Sequence, residues 1–238
     1  MHFHVITLFP EMFDSYLGES ILARAIKEKR IKVSFYNPRL FVTGKYRKVW
    51  PDGNVSLQVD DRPYAGGPGM IIRAEPVLVA VVAAVKKIKS KPARLNGSSR
   101  SGGKAKIKII NFSPSGKKFD TAYAKSTAKK YTDIIMISGR YEGIDARVAK
   151  ILKAENISIG DYVLTGGEVP AMVLIDSISR QIQGVLGKYE SLEEERVSSS
   201  EFYTRPEILI HKGKKHRVPK ILLSGDHKKI EEWKQRGK

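Results

Sequence analysis

Ser158-Ile159-Gly160-Asp161-Tyr162-Val163-Leu164-Thr165-Gly166-Gly167-Glu168-Val169-Pro170 decides how the rest of this 238-residue chain is read. Short apolar runs sit among three glycines and end at Pro170, a residue favoured in the first turn of a helix. A helix is expected from Val169 to about Gln183, apolar at Met172, Leu174, Ile175, Ile178 and Ile182. Glycines at this density let backbone N–H and C=O groups approach a bound molecule without Cβ atoms in the way. Main-chain donors and acceptors read a purine well, so an adenosyl-type ligand suits the stretch. The plainer reading is a pair of tight turns with Gly-Gly leading into a helix. Composition leaves both open.

Working outward, the stretch is the last of three similar units. Ile157–Ile159 is an expected strand running into it. Before that, Ile134–Ser138 runs into Gly139-Arg140-Tyr141-Glu142-Gly143-Ile144-Asp145-Ala146-Arg147. Earlier still, Ile107–Asn111 runs into Phe112-Ser113-Pro114-Ser115-Gly116, followed by a helix pattern over Asp120 to Lys130. Open α/β sheets keep their ligands in loops at the C-terminal ends of strands. None of these loops is Gly-x-Gly-x-x-Gly, which argues against a dinucleotide site.

Nearer the N-terminus, His2–Leu8 reads as a strand and Met12 to Lys29 as a helix, with Phe13, Leu17, Ile21, Leu22 and Ala25 on one side. Ile31–Tyr36 alternates as a strand would. His2 and His4 share one strand face, a spacing metals can use; the sequence offers no third ligand, so packing or solvent is the reading. Asn37 to Gly69 is loop-like, ends in Asp60-Asp61-Arg62-Pro63-Tyr64-Ala65-Gly66-Gly67-Pro68-Gly69, and precedes a helix from Glu75 to Lys89. A loop of this length in a compact domain is usually functional or mobile.

Bulk composition narrows the partners. Forty-three Lys and Arg against 25 Asp and Glu give a net charge of +18, which attracts a polyanion. Nucleic acid is the leading partner, a merely solvated surface the plainer alternative, and an anionic membrane third, because no long basic amphipathic helix is present. With no cysteine there is no disulfide framework or thiolate nucleophile, and a reducing cytoplasm fits. Neither a signal peptide nor a membrane span is expected. Lys86 to Lys108 is basic and glycine-rich; its Gly97–Ala105 run misses the phosphate-loop pattern, since Ala105 stands where Ser or Thr should hold magnesium. A disordered cationic insertion is expected there. Lys188 to Ser200 reads as an acidic linker, and Phe202-Tyr203-Thr204-Arg205-Pro206 opens a short basic C-terminal unit with a helix from Asp226 to Gln235.

Together these pieces resemble the bacterial tRNA (guanine-N1)-methyltransferases that modify guanosine 37, within the SPOUT class. The matching stretches are Leu8–Phe13, Asp60–Met70, Gly139–Arg147, Ser158–Met172, Tyr203–Pro206, and Val218-Pro219 with Leu222–Gly225. The resemblance implies an α/β fold with a deep trefoil knot in an S-adenosylmethionine-binding domain at 1–187, a linker at 188–202 and a tRNA-binding domain at 203–238. It also implies a homodimer with active sites between subunits, acting on the anticodon stem-loop of tRNA, with no role for DNA. By position, the cofactor would be held by Gly139 and by Ile159, Gly160, Asp161, Tyr162, Val163 and Leu164, with Ser113, Pro114, Gly166 and Gly167 completing the wall. Arg180 and Glu195 fall at the catalytic positions, and Glu142 at one linked to Mg2+.

The sequence departs from the family in places. Glu195, with Glu194 as the fallback, replaces an aspartate; Ala146 replaces a glutamate and Ala65 a glycine. Insertions lie around Trp50–Leu57 and Lys89–Lys104, while the linker and C-terminus are short. These departures keep two alternatives open: a knotted RNA-binding protein with impaired catalysis, and a related ribosomal RNA methyltransferase. Without the resemblance, Arg180 would read as a surface partner of Asp176, and Glu195 as part of a solvated acidic run.

Overall fold

The computed structural model describes residues 1–64, 66–90, 105–186 and 201–236. The insertion at 91–104, the linker residues 187–200 (with Glu193, Glu194 and Glu195) and Ala65 lie outside them. The chain divides into two compact units, Met1–Val185 and Leu186–Lys238.

In chain order the first unit begins with β1 (His2–Ile6), α1 (Asp14–Leu17), α2 (Ser20–Lys27) and β2 (Lys32–Tyr36). Four short strands follow: β3 (Arg47–Val49), β4 (Val55–Leu57), β5 (Asp60–Asp61) and β6 (Ile71–Ile72). Then come α3 (Ala74–Lys89), β7 (Ile107–Lys118), α4 (Thr121–Lys130), β8 (Asp133–Ile137), α5 (Arg147–Leu152), β9 (Glu155–Ser158) and α6 (Glu168–Ser179). Five strands form one parallel sheet in the order β2-β1-β8-β7-β9. Helices cover both faces, which is why β8 (Asp-Ile-Ile-Met-Ile) is buried at every residue and reads as a continuous apolar run.

Its alternating side chains feed two cores. Ile134 and Met136 join Phe3, Val5 and Ile110 under α2, α4 and α6, through Leu22, Ala25, Ala124, Leu174 and Ile178. Ile135 and Ile137 join Ile6 and Tyr36 under α3 and α5, through Val77, Val81, Ala84 and Val148. Each fully buried Leu or Ile contributes about 1.5–3 kcal/mol relative to exposure, so the layers are held mainly by these two faces.

Several expected boundaries move. The helix predicted over Met12–Lys29 is broken: Pro10–Phe13 is a 3-10 turn, α1 lasts four residues, and Ser20 at φ 53° turns the chain so that α2 presents Leu22 and Ala25 to the core. The helix predicted to Gln183 ends at Ser179; Ile182 still packs on the core from tight turns that continue to Val185, so its apolar spacing misled. The Asn37–Gly69 loop contains a β3–β4 hairpin turning at Asp52-Gly53-Asn54, where Gly53 has φ 83°. The strand expected to end at Asn111 runs to Lys118, with a register shift against β9 between Phe112 and Lys117. There Gly116 has no room for a side chain: a Cβ would lie 2.6 Å from the Asn156 carbonyl carbon and the Ile157 nitrogen.

The second unit holds a hairpin of β10 (Ile208–His211) and β11 (Lys214–Arg217), whose turn residues Lys212 and Gly213 both have positive φ, as a type I′ turn requires. α7 (His227–Arg236) follows, with Asp226 accepting from the Lys229 N–H at 3.2 Å as its N-cap. No helix among the described residues is long and apolar enough to cross a membrane.

Candidate active site

Two loops leave the C-terminal ends of β8 and β9, and between those strands β7 bulges where its register against β9 shifts, from Phe112 to Lys117. They enclose one cleft. Phe112, Ser113 and Pro114 line one wall; Gly139 to Gly143 line a second; Ile157 to Gly160 with Tyr162 to Gly167 line the third, and Pro170 closes the base. Of the eleven residues expected to hold a cofactor, ten line this cleft. The exception is Asp161, whose carboxylate turns outward to Lys118 at 2.6 Å.

Glycine is needed at the point where two walls touch. The Gly167 N–H donates to the Gly139 carbonyl at 2.9 Å, and the Ser138 hydroxyl donates to the Gly167 carbonyl at 3.1 Å. A Cβ on Gly167 would lie 2.6 Å from Ser138 Cα, which is backbone and cannot yield. Tyr162 lies across Gly160 and donates its hydroxyl to the Ile159 carbonyl at 3.2 Å. The cleft therefore presents mainly main-chain groups and apolar edges, with Arg140 and Glu142 as its charged lining residues. Glu142, exposed at the lip, is the one carboxylate among its lining residues.

Beneath the cleft lies a polar brace that sequence reasoning missed. Glu168, 1% exposed, pairs with Arg140 at 2.9 Å, although that N–H is not aligned as a hydrogen bond; its other oxygen accepts from the Thr7 hydroxyl at 2.7 Å. The Arg140 guanidinium also stacks on Phe9, 4.7 Å from the ring centroid. A carboxylate so deep is tolerable only when paired and hydrogen-bonded. The brace ties the β1, β8 and α6 segments together; the signal was a glutamate directly after Gly166-Gly167.

The Asp60–Met70 stretch also reaches the site. The Glu142 N–H donates to the Met70 carbonyl at 3.1 Å, and the Ile72 N–H to the Gly143 carbonyl at 3.0 Å. Gly69, at φ 88°, lies against the Glu142 side chain. Nearby, the hydrogen bonds from Arg147 hold the Asp145 carboxyl below the usual carboxylate range.

Arg180 is elsewhere. It caps the C-terminal end of α6, whose N-terminal end meets the cleft; twelve residues at about 1.5 Å each make that helix roughly 18 Å long. One turn before it, Asp176 accepts a very short hydrogen bond from Tyr16, which pushes the tyrosine hydroxyl up to about 12. Within one chain, Arg180 is thus not among the residues lining the cleft. Glu195 lies outside the described residues.

The sequence profile of the family described as "tRNA (Guanine-1)-methyltransferase TrmD" matches residues 1–238. This chain belongs to that family. Among the TrmD family's curated members, one from Clostridioides difficile strain 630 is 41% identical over 239 residues, covering 99% of this chain and 91% of the relative. Another from Hahella chejuensis is 42% identical over 236 residues, covering 98% and 80%. A third from Pseudoalteromonas atlantica is 39% identical over 238 residues, covering 98% and 78%. All three carry the name tRNA (guanine-N(1)-)-methyltransferase.

Proposed function

We propose that this TrmD-family chain transfers a methyl group from S-adenosylmethionine to N1 of guanosine 37 in tRNA, with the donor held in the glycine-lined cleft. The observation that carries the reading is the convergence of the β7 bulge and the loops after β8 and β9 on one glycine-lined pocket. A purine edge and a ribose find backbone donors and acceptors there, while Ile157, Ile159 and Leu164 offer apolar contact. Bound S-adenosylmethionine supplies an electrophilic methyl on sulfur; the chain's own residues must prepare the nucleophile.

Guanine N1 carries a proton, and its removal spreads negative charge towards O6. A carboxylate acts as general base and a fixed guanidinium holds the charge on O6. We assign the base to Glu195 and the guanidinium to Arg180. Because α6 separates Arg180 from its own cleft, a homodimer in which Arg180 serves the partner's donor is the arrangement that fits. The close passage of Gly116 over β9 is what a knotted chain would need there. Glu142 fits a magnesium ion only as a single carboxylate with water and substrate oxygens making up the shell. The positive charge steers tRNA to the site, and absence of cysteine suits a cytoplasmic enzyme.

The test is to incubate the full chain with unmodified tRNA transcript and labelled donor, then locate the label by nucleoside mass spectrometry. N1-methylguanosine at position 37 is expected. Label in another base, or in ribosomal RNA alone, would overturn the assignment. Co-expressing chains carrying Arg180→Ala and Gly167→Val should restore activity in mixed dimers if the arginine works across subunits; no recovery would place it in its own chain's site.

A further inference from the structure

The opposite end of the same sheet carries a second group of chemistry-bearing side chains. His2 and His4 on β1 lie on one face of the sheet, and Asp133 opens β8 beside them, in register with His2. All three are buried, at 2%, 0% and 3% exposure. The third ligand that the two-residue histidine spacing lacked in sequence is therefore supplied from 129 residues beyond His4.

The three donor atoms lie close enough together to share a small cation. His4 Nε2 lies 3.3 Å from Asp133 Oδ1, and His2 Nδ1 lies 3.7 Å from the same oxygen. All three ligand atoms fall within 4.8 Å of one another. Bond lengths of about 2.0–2.1 Å to zinc put neighbouring tetrahedral donors about 3.3 Å apart. One edge already has that length; the imidazoles, whose ring centroids lie 3.7 Å apart, must separate for both nitrogens to face one ion.

The outer contacts also match. Each metal-bound imidazole normally engages its other ring nitrogen in a hydrogen bond. His2 Nε2 meets the Ser34 hydroxyl at 3.0 Å, and His4 Nδ1 meets the Tyr36 hydroxyl at 3.2 Å. Asp133 Oδ2 accepts from the Thr132 hydroxyl at 2.6 Å, which leaves Oδ1 facing the histidines. Two neutral imidazoles and one carboxylate suit zinc far better than magnesium, which prefers all-oxygen shells.

We propose that His2, His4 and Asp133 form a zinc site that clips β1 to β8 at the end of the sheet away from the cleft. A water completes the shell. The site is structural: it holds neighbouring strands whose residues are far apart in sequence, and it does not depend on the methyl-transfer reading.

Zinc itself is the probe. The full chain, stripped with a chelator and reloaded, should retain one zinc per chain after dialysis. Its Tm should rise by roughly 5–10 °C at zinc a hundredfold above Kd. Loaded with cobalt(II), it should show the weak visible bands of a nitrogen–oxygen shell, there being no cysteine to add thiolate absorption. Replacing the other three histidines, as His211→Ala, His216→Ala and His227→Ala together, should leave stoichiometry unchanged, while Asp133→Asn should lose zinc. Should Asp133→Asn fail to fold by circular dichroism, Ser34→Ala provides the reading, with zinc Kd expected to weaken about 10–100-fold. A wild-type chain that retains no zinc and shows no Tm change overturns the proposal. So does zinc lost with the three tail histidines, or a Kd untouched by Ser34→Ala.

Discussion

The two ends of the central sheet solve opposite problems. At the C-terminal ends of β8 and β9, beside the bulge in β7, glycines strip side chains away so that main chain from separate loops can touch and face a ligand. At the N-terminal ends of β1 and β8, side chains crowd together: two imidazoles and a carboxylate, met by the Ser34 and Tyr36 hydroxyls of β2. Both groups sit on the same rigid layer. Recognition by backbone demands the absence of Cβ atoms, whereas ligation or hydrogen bonding inside a core demands particular side chains. Changes at one end should therefore leave the other nearly untouched.

Arg180 tests the cleft end most severely, because it is assigned to chemistry and not to donor binding. Arg180→Ala should lower kcat by about 10²–10³ while calorimetry finds the donor Kd within about twofold. Equal losses in both would return Arg180 to a packing role.

Gly167→Ala goes after the backbone contact itself. The added methyl meets Ser138 Cα, and overpacking of about 1–3 kcal/mol should weaken donor binding by roughly 5–150-fold. Unchanged affinity would mean that the two walls can part freely.

At the far end, His4→Ala removes a buried group hydrogen-bonded to Asp133 and Tyr36. Leaving those partners unsatisfied costs about 1–3 kcal/mol, a fall in Tm of roughly 2–10 °C. Donor affinity measured on the folded variant should not change. If it falls along with Tm, the ends are coupled and the contrast drawn above fails.

The smallest effect concerns Tyr16 and Asp176, near neither end. Hydrogen bonding to Asp176 raises the folded Tyr16 hydroxyl to about 12. Since that pKa lies above the ordinary value near 10, the contribution is complete below pH 10 and lost between about 10 and 12. Tyr36, Tyr123 and Tyr203 are raised too, so spectroscopic titration should show a group of late tyrosines with one fewer member in Tyr16→Phe. At neutral pH the substitution should cost under about 1 kcal/mol, since the pair is exposed to solvent.

Much of the cleft was legible because its signals are local. Glycine and proline clusters mark the cleft segments at Ser113-Pro114, Gly139 and Gly166-Gly167 without reference to distant residues, although β7 runs on through the first of them. Boundaries were less legible. Ile182 kept helical spacing while lying in tight turns, and the β3–β4 hairpin hid in a stretch whose prolines and glycines read as loop. Arg140 and Glu168 were invisible as a pair, since each reads as an ordinary surface charge until α6 sets one against the other.

From the sequence alone came the alternation of strands and helices, the basic charge, and the loops that could hold a nucleoside, since these follow from side-chain period and residue type within a few neighbours. The order β2-β1-β8-β7-β9, the turning away of Asp161, and the meeting of Asp133 with His2 and His4 came only with the tertiary structure. Strand order and cross-strand neighbours are set by how crossover helices pack on both faces of a sheet. That packing is a sum over contacts more than a hundred residues apart, and no local spacing encodes it.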